Sequence, residues 1–360
     1  MRKQALGVST LRIIAAAALL GAVLTLAAAP ASANDSNDPR DTSSPYGMLE
    51  FLVWDHDWNQ FHYKSADHRK KAMDLMRDAG VGIVRIDFLW ADLEPQRNRY
   101  DFSRIDEVVN ELGKRNIKVL GMLHYNSAWS GKEWNTPPDP KAFASYADKV
   151  VTRFKDRVKY WEIWNEPNSP IYWKPQDGMR AYTELLKVVY PAIKKADPTA
   201  VVLMGGLTGN PDQSLNEIYL NGGKPYFDRV NIHPFRTPSD PAAIDRVREL
   251  HEKVLEVMKR HGDADKKVWF TEIGSPGVSG GIQPTWWLGK APNELIQAQW
   301  VKAVMGEMTK WPSVEKVFWA FFRDTDHFKD AVDYFGIVRK DWTLKPGYEA
   351  YRKVATRSAE

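Results

Sequence analysis

Two glutamates in this 360-residue chain stand where a carboxylate could do chemistry. Glu166 ends the run Tyr160-Trp161-Glu162-Ile163-Trp164-Asn165-Glu166-Pro167. Glu272 lies in Val268-Trp269-Phe270-Thr271-Glu272-Ile273-Gly274. A lone glutamate is ordinarily a solvated surface group. Each of these follows a short apolar, β-rich run, 106 residues from the other. Two carboxyl groups facing each other can cleave a glycosidic bond: one protonates the leaving oxygen while the other works at the opposite face of the sugar. The two roles need different pKa values, set by different neighbours. Arg85 could hold Glu272 ionised by opposite charge and hydrogen bonding. Asn165 could bond a sugar hydroxyl, and His124 and His233 could bind others or tune the carboxylates. Ten of the 15 Trp residues fall at expected strand ends or in the loops after them, Trp54, Trp129, Trp173 and Trp319 included. Flat aromatic faces stack on sugar rings, so these four join the candidate substrate-binding residues.

Such a pair needs a scaffold that brings distant strand ends together. Eight apolar runs read as strands: Tyr46–Trp54, Ile83–Trp90, Lys118–Tyr125, Tyr160–Asn165, Val201–Leu207, Val230–Pro234, Val268–Ile273 and Val314–Phe321. Amphipathic stretches alternate with them: Asp67–Ala79, Ser103–Arg115, Pro140–Lys155, Asp177–Lys195, Asp212–Leu220, Pro241–His261, Asn293–Lys310 and Pro346–Ala355. Ser103 with Asp106 three residues on reads as the capping start of the second helix. Near-continuous apolar strands suit a parallel sheet covered by helices. The pattern predicts an α/β fold, a single (β/α)8 TIM barrel over residues 46–360, with its chemistry at the C-terminal ends of the strands. An open doubly wound sheet lacks its support, since no Gly-x-Gly-x-x-Gly opens a helix after the first strand.

The first 33 residues read as an address. Arg2, Lys3 and Arg12 precede the apolar run Ile13–Ala29, and Pro30-Ala31-Ser32-Ala33 supplies a small-residue cleavage site. We expect a signal peptide cleaved after Ala33, a loose lead-in over 34–45, and a secreted protein with no membrane attachment afterwards. The formal charge of +4 owes three units to that leader, and the +1 left is scattered among acids. Nothing there draws nucleic acid. With no cysteine, there is no disulfide, thiolate metal site or cysteine nucleophile. No Gly-x-Ser-x-Gly elbow occurs. The His-x-His of barrel metallohydrolases is missing from the first strand end, where Asp57 and Trp58 follow His56. No metal, no cofactor and a monomer are expected.

Trp164-Asn165-Glu166-Pro167 resembles the Trp-Asn-Glu-Pro signature of clan A glycoside hydrolases, and the Glu272 run resembles their nucleophile strand. Phe335-Gly336-Ile337-Val338 with Trp342 and Lys345-Pro346-Gly347-Tyr348 resembles the segment after their eighth strand. Family 39 is nearest in flavour, family 5 next. The resemblance implies a retaining (β/α)8 enzyme acting on a β-linked oligo- or polysaccharide, with Glu166 as acid/base and Glu272 as nucleophile. It also implies that Arg85, His124, Asn165, His233 and Trp319 line the subsite of the cleaved sugar. One departure stands out: several clan members carry Tyr where this chain has Phe235, so Tyr125 or Arg85 must serve the nucleophile instead. Other readings stay open. A non-catalytic carbohydrate-binding barrel would lack one glutamate. A metal-dependent barrel hydrolase would use Glu166, Glu272, His124 and His233 as ligands. Glu162 has the inward parity of a buried partner for Arg85. Arg236, Arg323 and Lys174 sit in loops after strands, where they would either face solvent or read an acidic sugar.

Overall fold

The computed structural model describes residues 44–56, 63, 65–280, 285–286, 289–326 and 330–357. The leader, most of the lead-in, Asp57 and Trp58 lie outside them, as do the side chains of Trp286 and Trp287. No helix among the described residues is long and apolar enough to cross a membrane.

Among the described residues ten strands form: β1 (Tyr46–Leu49), β2 (Ile83–Leu89), β3 (Lys118–His124), β4 (Tyr160–Ile163), β5 (Val201–Met204), β6 (Val230–Ile232), β7 (Val268–Ile273), a two-stranded hairpin of β8 (Thr285–Trp286) and β9 (Gly289–Lys290), and β10 (Val314–Ala320). The eight long-range strands pair in the order β5-β4-β3-β2-β1-β10-β7-β6, all parallel. Parallel bridges from Leu203 to Arg229 and from Leu207 to Ile232 close β5 against β6, completing the barrel. A helix follows each of the eight strands, as the alternation predicts.

The helices form for local reasons. Ser103–Lys114 buries Ile105, Val108, Val109 and Leu112 on one stripe, the spacing of a helix with one covered face. Its start differs from expectation. Phe102 holds the cap position, and Ser103 donates its backbone N–H and hydroxyl to Asp101. Asp101 accepts from this first helical residue, and the Phe102 C=O takes the Asp106 N–H. Asp139 and Asn293 cap their helices by accepting from the backbone three residues on.

Alternation fills the lumen in layers. Ile83, Leu120, Tyr160, Leu203, Trp269 and Phe318, one from each of six strands, are buried together as an apolar plug. Two residues on, the same faces of β2, β3 and β4 carry Arg85, Met122 and Glu162, all buried. The strand ends above them are free to carry function. At one of these ends Glu50, 1 % exposed, accepts backbone N–H bonds from Phe51, Phe322 and Arg323. That carboxyl stitches the exit of β1 to the exit of β10.

Candidate active site

Arg85 is the hub. Its Nε and Nη2 bond both oxygens of Glu162 at 2.7 and 2.9 Å, its Nη1 donates to Glu272 at 2.6 Å, and Nη2 also reaches Asn165 Oδ1 at 2.9 Å. Glu162 further accepts from Gly206 N–H and from Asn231. A buried ion pair survives only when both members are hydrogen-bonded all round, and this one is. Burial works against the Arg85 charge, but Glu162 and Glu272 more than offset it, so its pKa rises.

The exit from β4 aims the second carboxylate. Trp164 and Glu166 both adopt left-handed backbone, φ 70° and 42°, on either side of Asn165. Such a conformation costs about 1–3 kcal/mol at a non-glycine residue and persists only when its surroundings over-determine it. They do: Trp164 bonds Leu123 C=O through its backbone and Tyr172 C=O through its indole, and it packs edge-on against Tyr125 and Trp173. The turn sets Glu166 Oε1 2.8 Å from His233 Nδ1, while His233 Nε2 lies 2.9 Å from Thr271 Oγ1. His233 fits only because residue 206 is glycine, where a Cβ would stand 2.0 Å from Nε2.

Glu166 and Glu272 are 12 % and 15 % exposed, and one oxygen of each lies with a His233 nitrogen in a trio spanning at most 4.8 Å. Their electrostatics differ. Burial pushes the Glu166 carboxyl up to about 7, with Arg85 opposing and Glu162 adding to the rise. Burial also raises Glu272, and Arg85 offsets only part of that rise. Burial lowers His233 to about 4, so near neutrality it carries no charge and Arg85 is the permanent cation beside Glu272. Glu272 thus has a charged donor at 2.6 Å, and Glu166 has only a neutral imidazole. The trio has the donor types of a metal site, yet the Arg85 guanidinium already points into it. A fixed cation in contact with one ligand opposes a second.

Glu272 opens onto a cavity of about 700 Å³. Phe51, Trp54 and Phe321 line one side, and Tyr125, Trp134 and Tyr172 another. Arg85, Asp87, His124 and Asn165 are among its polar groups, with His56, Asp92, Asn126 and Glu272. Asp87 and His124 are buried there, 2.9 Å apart, without aligned hydrogen bonds of their own.

The sequence-expected residues divide accordingly. Arg85, His124, Asn165, Trp54 and Glu272 line the cavity, and Glu166 and His233 join through the trio. Three tryptophans do not line it. Trp173 is 1 % exposed and buttresses Trp164 and Tyr182. Trp319 is fully buried, its indole donating to Phe335 C=O, because it follows Phe318 of the lumen layer and alternation turns it to the opposite face of β10, while Phe321 lines the cavity. Trp129 is half-buried, bonds Glu94 C=O and packs edge-on against Trp90. Phe235 packs on Phe335, and no Tyr125 bond reaches Glu272 among the described contacts, which leaves Arg85 as its donor. Lys174 pairs with Glu133, Arg323 stacks on Trp342, and Arg236 bonds its neighbour's carbonyl; none of the three lines the cavity. Phe51, Phe321, Tyr172, Thr271 and Asn231 carry no motif. Only inward parity or a strand-end position marks them.

Comparison with known proteins places the fold and the family. Residues 51–321 match the family model described as cellulase (glycosyl hydrolase family 5). Endo-1,4-beta-xylanase B of Thermotoga neapolitana is 23% identical over 283 residues, covering 74% of this chain and 77% of that protein. Beta-glucosidase 47 of Arabidopsis thaliana is 29% identical over 106 residues, 27% of this chain and 20% of that protein. Among solved structures, a family 39 glycoside hydrolase from Bacteroides cellulosilyticus WH2 superposes with a TM-score of 0.69 at 25% identity, over 87% of this chain and 64% of that one. The matched span runs from the exit of β1 to the exit of β10 and holds both glutamates, and on it the chain belongs to glycosyl hydrolase family 5, within clan A.

Proposed function

We propose that the chain is an exported, monomeric, retaining glycoside hydrolase that cleaves a β-linked oligo- or polysaccharide by double displacement. The observation that carries the mechanism is the closeness of Glu166 and Glu272, whose oxygens fall within the 4.8 Å trio. Retaining enzymes hold their carboxyl groups about 5–5.5 Å apart, whereas inverting ones leave about 6.5–9.5 Å for a water. Glu272, kept anionic by Arg85, attacks the anomeric carbon. Glu166, holding its proton through burial, gives it to the leaving oxygen. A glycosyl–Glu272 ester forms, and Glu166 then takes a proton from the water that opens it. Aromatic walls on both sides of the cavity support stacking on sugar rings, and the leader with its Ala-x-Ala site supports export.

Glu272→Ala should lose turnover on aryl β-glycosides by about 10⁴-fold or more. Azide should restore release of the aryl group with an inverted glycosyl azide as product. Near-normal turnover in Glu272→Ala, or rescue giving a retained product, would overturn the assignment. EDTA should leave the rate unchanged, and loss of activity on chelation would favour a metal-dependent reaction.

A further inference from the structure

We propose that Thr271 and Asn231 lock His233 in the Nε2–H tautomer, so that the Nδ1 lone pair faces Glu166 and holds a proton on its carboxyl. The inference rests on reading Glu166 as the acid/base and adds what keeps it protonated.

The lock follows from which atoms can donate. Glu162, paired with Arg85, can only accept, and Asn231 Nδ2 donates to its Oε1 at 3.0 Å. The Asn231 carbonyl therefore points the other way. There it lies 3.4 Å from the Thr271 backbone N–H, which can only donate. Both ends fix the amide in one orientation. Thr271 Oγ1 stands 2.9 Å from that carbonyl. Two bare oxygens at this distance would repel, so the hydroxyl proton lies between them. Thr271 Oγ1 then has only lone pairs left for His233 Nε2 at 2.9 Å, and the ring proton must sit on Nε2.

With Nε2 protonated, the 2.8 Å contact between Nδ1 and Glu166 Oε1 contains one proton or none. With none, a lone pair faces a carboxylate. With one, the pair is either a neutral acid against a neutral ring or an ion pair with no water around it, and burial favours the neutral form. The remaining charged or titratable groups near Glu166 are Arg85 on β2, Glu162 on β4, Glu272 on β7, Tyr125 after β3 and Tyr172 after β4. Arg85 alone favours the carboxylate. The carboxyl pKa of about 7 and the histidine pKa of about 4 agree with the neutral form. The same lone pair serves the second half-reaction: once Glu166 has released its proton, the carboxylate facing it is a stronger base toward water. Thr271, Asn231 and His233 are positioning residues that touch no sugar in this account.

The test is Thr271→Val, which keeps the shape and removes the acceptor. The ring proton is then free to move to Nδ1 and donate to the Glu166 carboxylate. The alkaline limb of kcat/KM should fall by about one pH unit or more. At pH 7 substrates with poor leaving groups should lose about tenfold or more, while dinitrophenyl glycosides, which need little acid help, should change far less. Thr271→Ser should restore the limb. Independently of activity, ¹⁵N NMR of His233 in the unmodified protein should show the Nε2–H tautomer. A folded Thr271→Val with an unmoved limb would overturn the proposal. So would an Nδ1–H signal in the parent, which decides the matter even where the variant does not fold. Azide rescue of Glu272→Ala tests the two-glutamate assignment separately.

Discussion

Arg85 cannot be replaced by another cation. Its planar fork meets Glu162 with two nitrogens and still reaches Glu272 and Asn165, which the single ammonium of lysine cannot do together. Arg85→Lys should lower kcat/KM by about 10³-fold or more. Arg85→Ala, which leaves the Glu162 carboxylate buried without its cation, should cost about 3–5 kcal/mol of stability as well. Kinetics beside urea unfolding checks both. The aromatic residues separate by the same measurements. Phe321→Ala should raise KM for oligosaccharides about tenfold with a small change in stability, because its ring faces the cavity. Trp319→Ala and Trp173→Ala should destabilise by about 3–5 kcal/mol, because both rings are buried. At this scale the sequence was partly legible. The two glutamates, Arg85 and the inward parity of Glu162 could be read from motif and alternation. The division of the tryptophans could not, since a ring at a strand end turns outward or inward according to backbone detail that composition does not carry.

The exit of β4 and the turn after β5 work as one element. Left-handed backbone at Trp164 and Glu166 swings the acid toward His233, and Gly206 leaves room for that ring. Gly206→Ala would push a methyl into Nε2, so activity should fall about 100-fold or more, with the alkaline limb displaced. Far-UV circular dichroism should stay unchanged, since the barrel wall itself has room to persist. All eight strand–helix pairs were legible because a strand covered on both sides must be apolar along its length. Their C-terminal ends overran by up to five residues, β1 closing at Leu49 rather than Trp54. Apolar residues continue past the last ladder bond there because they build the cavity wall, so the pattern that marks a strand also marks the site.

Across the molecule, proton uptake on folding sets how stability responds to pH. Burial pushes Glu50 up to about 7, its three backbone donors only partly offsetting the effect, and Glu166 rises to a similar value. An acid whose pKa is higher folded than unfolded stabilises fully below its unfolded value of 4.5, and that stability is lost as pH rises through 7. Their contribution to the melting temperature should therefore decline between about pH 5 and 8, while His233, lowered to about 4 by burial, contributes in the opposite sense below its ordinary 6.5. Glu50→Gln, neutral throughout, should flatten part of the decline in calorimetry. Neither the charge balance nor the expected strand Tyr46–Trp54 signals this, because nothing in that run marks Glu50 until the exits of β1 and β10 enclose it.

Bridges rather than a continuous ladder join β5 to β6, and His233 bonds Leu207 right beside that join. A hoop gives first at its thinnest rivet. Gentle warming should loosen this flank while the other staves hold, and amide exchange should quicken around Leu207 and Ile232 before it does elsewhere. The side that carries His233 and Glu166 would then falter at temperatures where the cylinder still stands, and activity on heating should fall before the far-UV signal does.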